Sequence, residues 1–182
     1  SSTGGTEAIK ELLTSVPANC PPILITQHIP KVFSTSFAER LDRALAMEVF
    51  EAQEGMIIRS GCVYIAPGDF HLTIATSGSK KVCRLIQTEK INRHRPAVEV
   101  MFDSALASYG SKLVAVMLTG MGADGADAML RLKQAGAVTY AQDEATSVVW
   151  GMPQAAYNLG AVDDVLPLQK IPERMLKSAQ LK

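Results

Sequence analysis

Residues 113–135 read LVAVMLTGMGADGADAMLRLKQA, and this stretch decides the fold. Residues 113–118 are all apolar, which is typical of a strand buried on both faces of a parallel sheet. Residues 124–135 have the pattern of a helix. Glycines at positions 120, 122 and 125 join the two segments and permit a tight turn with positive φ. A strand that passes through a glycine-rich loop into a helix predicts one unit of an α/β fold.

The rest of the chain repeats this alternation of strand and helix. Further strands are predicted at residues 22–26, 63–66 and 137–141, and helices at 6–16, 34–47, after Pro96, from Pro153 and from about Pro172. Two more strands, at 71–75 and 82–86, flank Ser77-Gly78-Ser79 and predict an antiparallel hairpin. We therefore expect an α/β fold: a doubly wound, mostly parallel sheet with helices on both faces and a small antiparallel hairpin.

Composition limits the class of protein. The chain has 182 residues, of which 47% are hydrophobic and 20% charged, as in a single globular domain. Eighteen basic and 18 acidic residues balance, so no nucleic-acid partner is expected. No apolar run reaches the ~20 residues of a membrane span, and no signal peptide is visible. We expect a cytoplasmic protein without direct membrane insertion, in which Cys20, Cys62 and Cys83 are reduced thiols.

Three residues stand where a doubly wound sheet carries its chemistry, beyond the carboxyl ends of the strands. His28 follows the predicted strand at 22–26, and Asp124 lies in the glycine loop after residue 118. Ser2 is the second residue of SSTGGTEA, a composition typical of a strand-to-helix turn. One hypothesis gives a role to all three residues. In it, the serine is a nucleophile, the histidine is its base, and the carboxylate holds the Nδ1–H of the histidine.

Other interpretations of these residues stay open at this level. Asp124 has the position of an N-cap for the helix that follows it. The glycine-rich start of the chain could cradle an anion, although it lacks both GxGxxG and GxxxxGK[ST]. A serine at the very N-terminus also suggests a hydrolase whose α-amino group is the base, in which His28 is dispensable.

Six segments, taken together and in order, carry a family resemblance. They are SSTGGTEA at 1–8, ITQHIP at 25–30, YIAPGDFH at 64–71, NRHRP at 92–96, LTGMGADGA at 118–126 and VVWGMPQAA at 148–156. The chain resembles, over essentially its whole length, the catalytic domain of the bacterial chemotaxis protein-glutamate methylesterases. The resemblance implies a hydrolase that releases methanol from glutamyl methyl esters in the methylated cytoplasmic region of chemoreceptors, and that also deamidates receptor glutamines.

The resemblance also implies roles for individual residues. Ser2 matches the nucleophile, His28 the general base and acid, and Asp124 the residue that orients His28. Thr3 and the backbone N–H of Met121 match the groups that stabilise the oxyanion. The resemblance requires no metal or organic cofactor.

Arg93 and His94 are candidate substrate-binding residues that would line the path by which the substrate reaches the site. A basic loop that is simply exposed to solvent is an equally good interpretation of this segment.

The resemblance leaves parts of the family pattern unmatched. Residues 1–182 correspond to a methylesterase catalytic domain, whereas the phosphorylatable receiver domain, the linker and the strand expected before Ser1 have no counterpart in the sequence. Two rival functions remain: a general carboxylesterase on the same fold, and a non-catalytic module that binds phosphate or a receptor tail.

Overall fold

The computed structural model describes residues 1–181. The predicted domain ends at Lys182, which lies outside the described residues. The strands are β1 (Ile23–Ile25), β2 (Glu48–Glu51), β3 (Cys62–Ile65), β4 (His71–Ser77), β5 (Lys80–Ile86), β6 (Val114–Met117), β7 (Val138–Gln142) and β8 (Asp164–Leu166). The helices are α1 (Gly5–Thr14), α2 (Lys31–Ala44), α3 (Val98–Tyr109), α4 (Ala126–Gln134), α5 (Met152–Asn158) and α6 (Ile171–Gln180), with a 3₁₀ turn at Leu168–Lys170 before α6.

The strands form two parallel sheets and one hairpin. In the first sheet β3 lies between β1 and β2, and in the second β7 lies between β6 and β8, with all neighbours parallel. Strands β4 and β5 pair antiparallel along their whole length. The expected α/β class, with mostly parallel strands and a small antiparallel hairpin, is confirmed.

Helices cover both faces of the parallel strands, as the sequence predicts. Alternate residues of a strand point to opposite faces, and Tyr64 packs in one core while Val63 and Ile65 pack in the other. The core around Tyr64 is completed by α3, α4, α5 and the hairpin. The opposite core is completed by α1, α2 and α6. The chain is therefore built of three layers, with the carboxyl ends of the parallel strands left open for a site.

One predicted helix has different bounds, and two strands were not predicted. The helix expected at 34–47 begins at Lys31, because Pro30 has the extended backbone of a helix start with ψ at 150°, and it ends at Ala44, because Leu45 is extended with ψ at 160°. Strands β2 and β8 were not predicted. Both are short and carry charged residues, so they lack the apolar run by which the other parallel strands are recognised.

An apolar groove separates the two parallel sheets. Among residues 1–181, β1 pairs only with β3 and β6 pairs only with β7, so each presents an unpaired edge. Both strands line the groove, which holds cavities of about 300 Å³ and 130 Å³. Ser1 lies at one end of it. The parallel strands are therefore divided into two sheets at this groove.

Two further expectations concern the chain as a whole. No helix within residues 1–181 is long and apolar enough to cross a membrane. Cys20, Cys62 and Cys83 are free and buried, as the sequence indicates.

Candidate active site

Ser1 and Ser2 lie between the carboxyl ends of β1 and β6. Towards β1, the Ser1 nitrogen donates to the Thr26 carbonyl at 3.1 Å, and the His28 N–H donates to the Ser1 carbonyl at 2.9 Å. Towards β6, the Ser2 N–H donates to the Thr119 carbonyl at 2.9 Å. Ser2 is thus fixed between the two loops that carry His28 and Asp124.

Glycines allow the turn from Ser2 into α1 to be this tight. Gly4 precedes the helix with φ at 78°, a conformation that side chains other than glycine rarely adopt. A Cβ at Gly5 would lie 2.1 Å from Gln27 Oε1, and one at Gly120 would lie 2.9 Å from the Ser2 Cβ. The glycine loop after β6 therefore packs directly on Ser2.

Two backbone donors beside Ser2 are unused. The N–H groups of Thr3 and Met121 have no hydrogen-bond partner among residues 1–181. Thr3 follows Ser2 in the turn that precedes α1, and Met121 follows Gly120 in the loop that packs on Ser2. Free N–H groups at such a place are suited to bind a negatively charged oxygen.

His28 and Asp124 form a close pair. His28 Nε2 lies 2.7 Å from Asp124 Oδ2, and the two side chains are 7% and 2% exposed. The residues are 96 positions apart in the chain. The sequence prediction that these loops meet is therefore correct.

The carboxylate of Asp124 is held by four donors. Besides His28, the Asn92 amide donates to Oδ1 at 3.0 Å, and the N–H groups of Val98 and Glu99 donate at 2.7 Å and 3.2 Å. Asp124 therefore caps α3, a helix 26 residues earlier in the chain. The alternative that it caps the following helix is wrong: Gly125 is the N-cap of α4, without a side-chain hydrogen bond.

These contacts set the ionisation of Asp124. Burial acts to raise its pKa, but the hydrogen bonds from His28, Asn92, Val98 and Glu99 outweigh burial and hold the pKa below its ordinary 3.8. The group therefore stabilises the fold at neutral pH, and that contribution is lost as the pH falls through the lowered folded-state pKa. At neutral pH Asp124 is a carboxylate ready to stabilise a protonated His28.

The orientation of the His28 ring differs from the sequence expectation. Asp124 accepts from Nε2, not from Nδ1. Nδ1 is buried and has no hydrogen-bond partner among residues 1–181, so it makes no hydrogen bond to Ser2 Oγ. Nδ1 is thus the ring nitrogen available to a neighbouring hydroxyl.

Gln27, which the sequence reasoning missed, ties the serine turn to the histidine strand. Its Oε1 accepts from the Ser1 hydroxyl, and its Nε2 donates to the Ser2 carbonyl at 2.9 Å and to the His28 carbonyl at 3.3 Å. The residue is 3% exposed. Its position next to His28 was the only signal for it in the sequence.

We expect Gln27→Met to lower the free energy of unfolding by about 2–4 kcal/mol, because it leaves the Ser1 hydroxyl and the His28 carbonyl without a partner and removes one of the two donors to the Ser2 carbonyl. Urea denaturation measures the change. The exposed Gln53 is the control, and Gln53→Met should change stability by no more than about 0.5 kcal/mol. Equal losses in the two variants would contradict the role given to Gln27.

The segment NRHRP, residues 92–96, contacts both His28 and Asp124. Asn92 contacts Asp124 as described, and the His94 ring stacks on the His28 ring with centroids 3.5 Å apart and planes 9° apart. Arg93 is exposed, and its side chain makes no hydrogen bond or ion pair with residues 1–181. The structure therefore brings His94 into the site, and leaves Arg93 at its surface.

Comparison with known proteins now adds a family to this geometry. The sequence model of one family, described as CheB methylesterase, matches residues 1–175. The chain belongs to the CheB methylesterase family.

Individual members of the CheB methylesterase family support this. A protein-glutamate methylesterase/protein-glutamine glutaminase 2 of Saccharophagus degradans is 57% identical over 98% of this chain and 51% of its own length. A protein of the same name from Pseudomonas aeruginosa is 52% identical over 98% of this chain and 51% of its own length. The chain thus spans about half the length of these curated relatives.

The fold agrees with a solved structure of the family. The crystal structure of the Thermotoga maritima CheB methylesterase catalytic domain matches with a TM-score of 0.94 and 42% identity. The match covers 97% of this chain and 94% of the solved chain. The architecture described above is therefore that of the CheB catalytic domain.

Proposed function

We propose that the chain is the catalytic domain of a protein-glutamate methylesterase that also deamidates glutamines, and that its substrates are the methylated glutamates of chemoreceptors. The observation that carries this is the buried His28–Asp124 pair beside Ser2. The names of the relatives support the reaction, because they are protein-glutamate methylesterases/protein-glutamine glutaminases.

In the first step Ser2 Oγ attacks the ester carbonyl carbon, and His28 Nδ1 accepts the hydroxyl proton. Asp124 stabilises the imidazolium through Nε2–H. The carbonyl oxygen becomes an oxyanion, to which the N–H groups of Thr3 and Met121 donate. When the tetrahedral intermediate collapses, the C–O bond to the methoxy group breaks and His28 returns the proton, so methanol leaves and an acyl-Ser2 remains.

In the second step water attacks the acyl-Ser2 carbon while His28 Nδ1 takes a proton from the water. The bond to Ser2 Oγ breaks, the serine regains its proton, and a glutamate side chain is released. A glutamine follows the same course with ammonia as the leaving group. The chemistry needs no metal or organic cofactor.

The setting of the domain is part of the same proposal. Since the chain spans about half of its curated relatives, we propose that the longer protein adds a phosphorylatable receiver domain and acts in the cytoplasm. No partner of the nucleic-acid class is proposed, because the formal net charge is 0.

A serine-directed fluorophosphonate tests the proposed nucleophile. We expect one covalent adduct, located on Ser2 by mass spectrometry, and no adduct in Ser2→Ala. The matched control is Ser15→Ala, an exposed serine beyond the end of α1, which should react like the unmodified chain. An adduct that persists in Ser2→Ala would refute the assignment of Ser2 as the nucleophile.

A comparison of substrates tests the rival function. Equal rates of cleavage for small soluble esters and receptor esters would favour a general carboxylesterase.

We further propose that a strand N-terminal to Ser1 fills the groove between β1 and β6 in the longer protein. Two unpaired parallel edges face this groove, and apolar residues line it. Ser1 already bonds to residues 26 and 28 in the manner of a parallel strand, while Ser2 bonds to Thr119 on the other side. Such a strand would join the two sheets and end at the nucleophile.

A free amino group at Ser1 makes this proposal testable through pH. Burial lowers the pKa of that amine from 8.0 to about 5, although Asp124 acts in the opposite direction. Between these values the unfolded chain binds more protons than the folded chain. Stability should therefore fall as the pH falls from 8 to 5, by up to about 4 kcal/mol.

Denaturant titrations at several pH values measure this loss. Acetylation of the Ser1 amine should remove the part of this pH dependence that the amine contributes. Extension by an apolar strand-forming segment should do so too, and should also raise stability above that of the acetylated chain. An extension that stabilises no more than acetylation would contradict a strand in the groove.

A further inference from the structure

We propose that His94 is a positioning residue that fixes the plane of the His28 ring, so that Nε2 stays on Asp124 while Nδ1 stays free to accept the Ser2 proton. The inference rests on the proposed function. It replaces the substrate-contact role that the sequence suggested for His94 with a role that acts through His28.

Among residues 1–181, a single hydrogen bond restrains the His28 ring. Its one hydrogen bond, from Nε2 to Asp124, selects which ring edge faces the carboxylate. Nδ1 has no partner among residues 1–181, so no second hydrogen bond fixes the tilt of the ring. The parallel ring of His94, with its centroid 3.5 Å away, packs flat against the His28 ring and opposes such a tilt.

His94 is itself held by a tight turn. Ile91 and His94 exchange both backbone hydrogen bonds, at 2.9 Å and 3.0 Å, across Asn92 and Arg93. Both central residues have positive φ, 52° and 71°, as in the two-residue turns of hairpins. The turn therefore presents Asn92 to Asp124 and His94 to His28 at the same time.

A buried histidine holds the chain on both sides of this turn. His71 is fully buried, and its Nε2–H donates to the Glu89 carbonyl at 2.8 Å. Its Nδ1 accepts from the Ala97 N–H at 3.1 Å. Both ends of the segment that carries His94 are thus fixed, which is what a positioning residue requires.

Burial and the neighbouring charges favour the neutral form of His94. Burial lowers its pKa below the ordinary 6.5, and the charge of His28 lowers it further. Asp124 acts to raise the pKa, whereas Lys90 and the Ser1 amino group lower it. Arg95, the next residue, is paired with Asp69. A neutral His94 places no positive charge against the proton that His28 accepts.

Two variants at position 94 distinguish the effect of a stacked ring from the effect of side-chain volume. His94→Phe keeps a flat face against His28, and His94→Leu supplies apolar bulk without one. We would measure the rate at which a small fluorophosphonate modifies Ser2, because this reaction needs an activated serine but no receptor contact. We expect His94→Phe to stay within about threefold of the unmodified chain, and His94→Leu to react about 10–100-fold more slowly.

The kinetic constants for ester hydrolysis give the second readout. A positioning role predicts that His94→Leu lowers kcat and leaves KM nearly unchanged. A raised KM with normal phosphonate reactivity would instead make His94 a substrate contact and overturn the proposal. Equal reactivity of all three proteins would overturn it as well. If the unmodified chain does not react at Ser2, the result contradicts the proposed function itself, and with it the role given to His94.

A measurement on the unmodified chain guards against variants that do not fold. In stacked rings, NMR should show nuclear Overhauser contacts between the imidazole protons of His28 and His94. Thermal unfolding of both variants confirms that the compared proteins are folded. The absence of these contacts in the folded, unmodified chain would overturn the proposal without any substitution.

Discussion

Ser2→Ala should lower kcat for ester hydrolysis by about 10⁴–10⁶-fold, because the proposed acyl-enzyme forms on the Ser2 hydroxyl. The fold should be unaffected, since the Ser2 backbone makes the contacts to Thr119 and Gly5 and alanine retains them. Substrate binding should also survive, so KM should change little. Steady-state kinetics together with thermal unfolding measure all three quantities.

Ser15→Ala is the matched control for Ser2→Ala, and it should retain full kcat. A Ser2→Ala protein that is folded and keeps more than about one hundredth of the activity would contradict the assignment. That result would favour water activated directly by His28.

Asp124→Asn is expected to have the second largest effect, a fall in kcat of about 10⁴-fold. An asparagine cannot accept from His28 Nε2–H and also from Asn92, Val98 and Glu99, because only one of its side-chain atoms is an acceptor. The imidazolium would also lose its negatively charged partner. Because the cap of α3 is weakened, we expect a loss of about 1–2 kcal/mol in unfolding free energy.

Asp127→Asn provides the control, because this aspartate is exposed in the first turn of α4. It should retain kcat, and its stability should change by no more than about 0.5 kcal/mol. If Asp124→Asn lost stability but kept kcat, Asp124 would be a helix cap and nothing more.

Much of the fold could be predicted because its units carry strong local signals. Residues 113–118 are uniformly apolar, and β6 spans Val114–Met117 within them. The rule that ligands gather at the carboxyl ends of strands then selected the segments around Ser2, His28 and Asp124. The structure brings the last two together at 2.7 Å and places Ser2 between their loops.

The rest depends on contacts between distant segments, which local pattern does not encode. The ring nitrogen of His28 that faces Asp124 is set by how β1 and the glycine loop approach each other. The capping of α3 by Asp124 joins residues 26 apart. Gln27 acts through an amide whose partners lie in another segment. None of these leaves a periodic signal in the sequence.

Methanol release from radiolabelled, methylated chemoreceptor membranes tests whether Ser2 hydrolyses receptor methyl esters. The assay compares the chain extended at its N-terminus by a strand-forming segment with the same protein carrying Ser2→Ala. We predict release by the extended protein and none by its Ser2→Ala variant. A folded extended protein that releases no methanol, or a Ser2→Ala variant that releases it at an equal rate, would contradict the account.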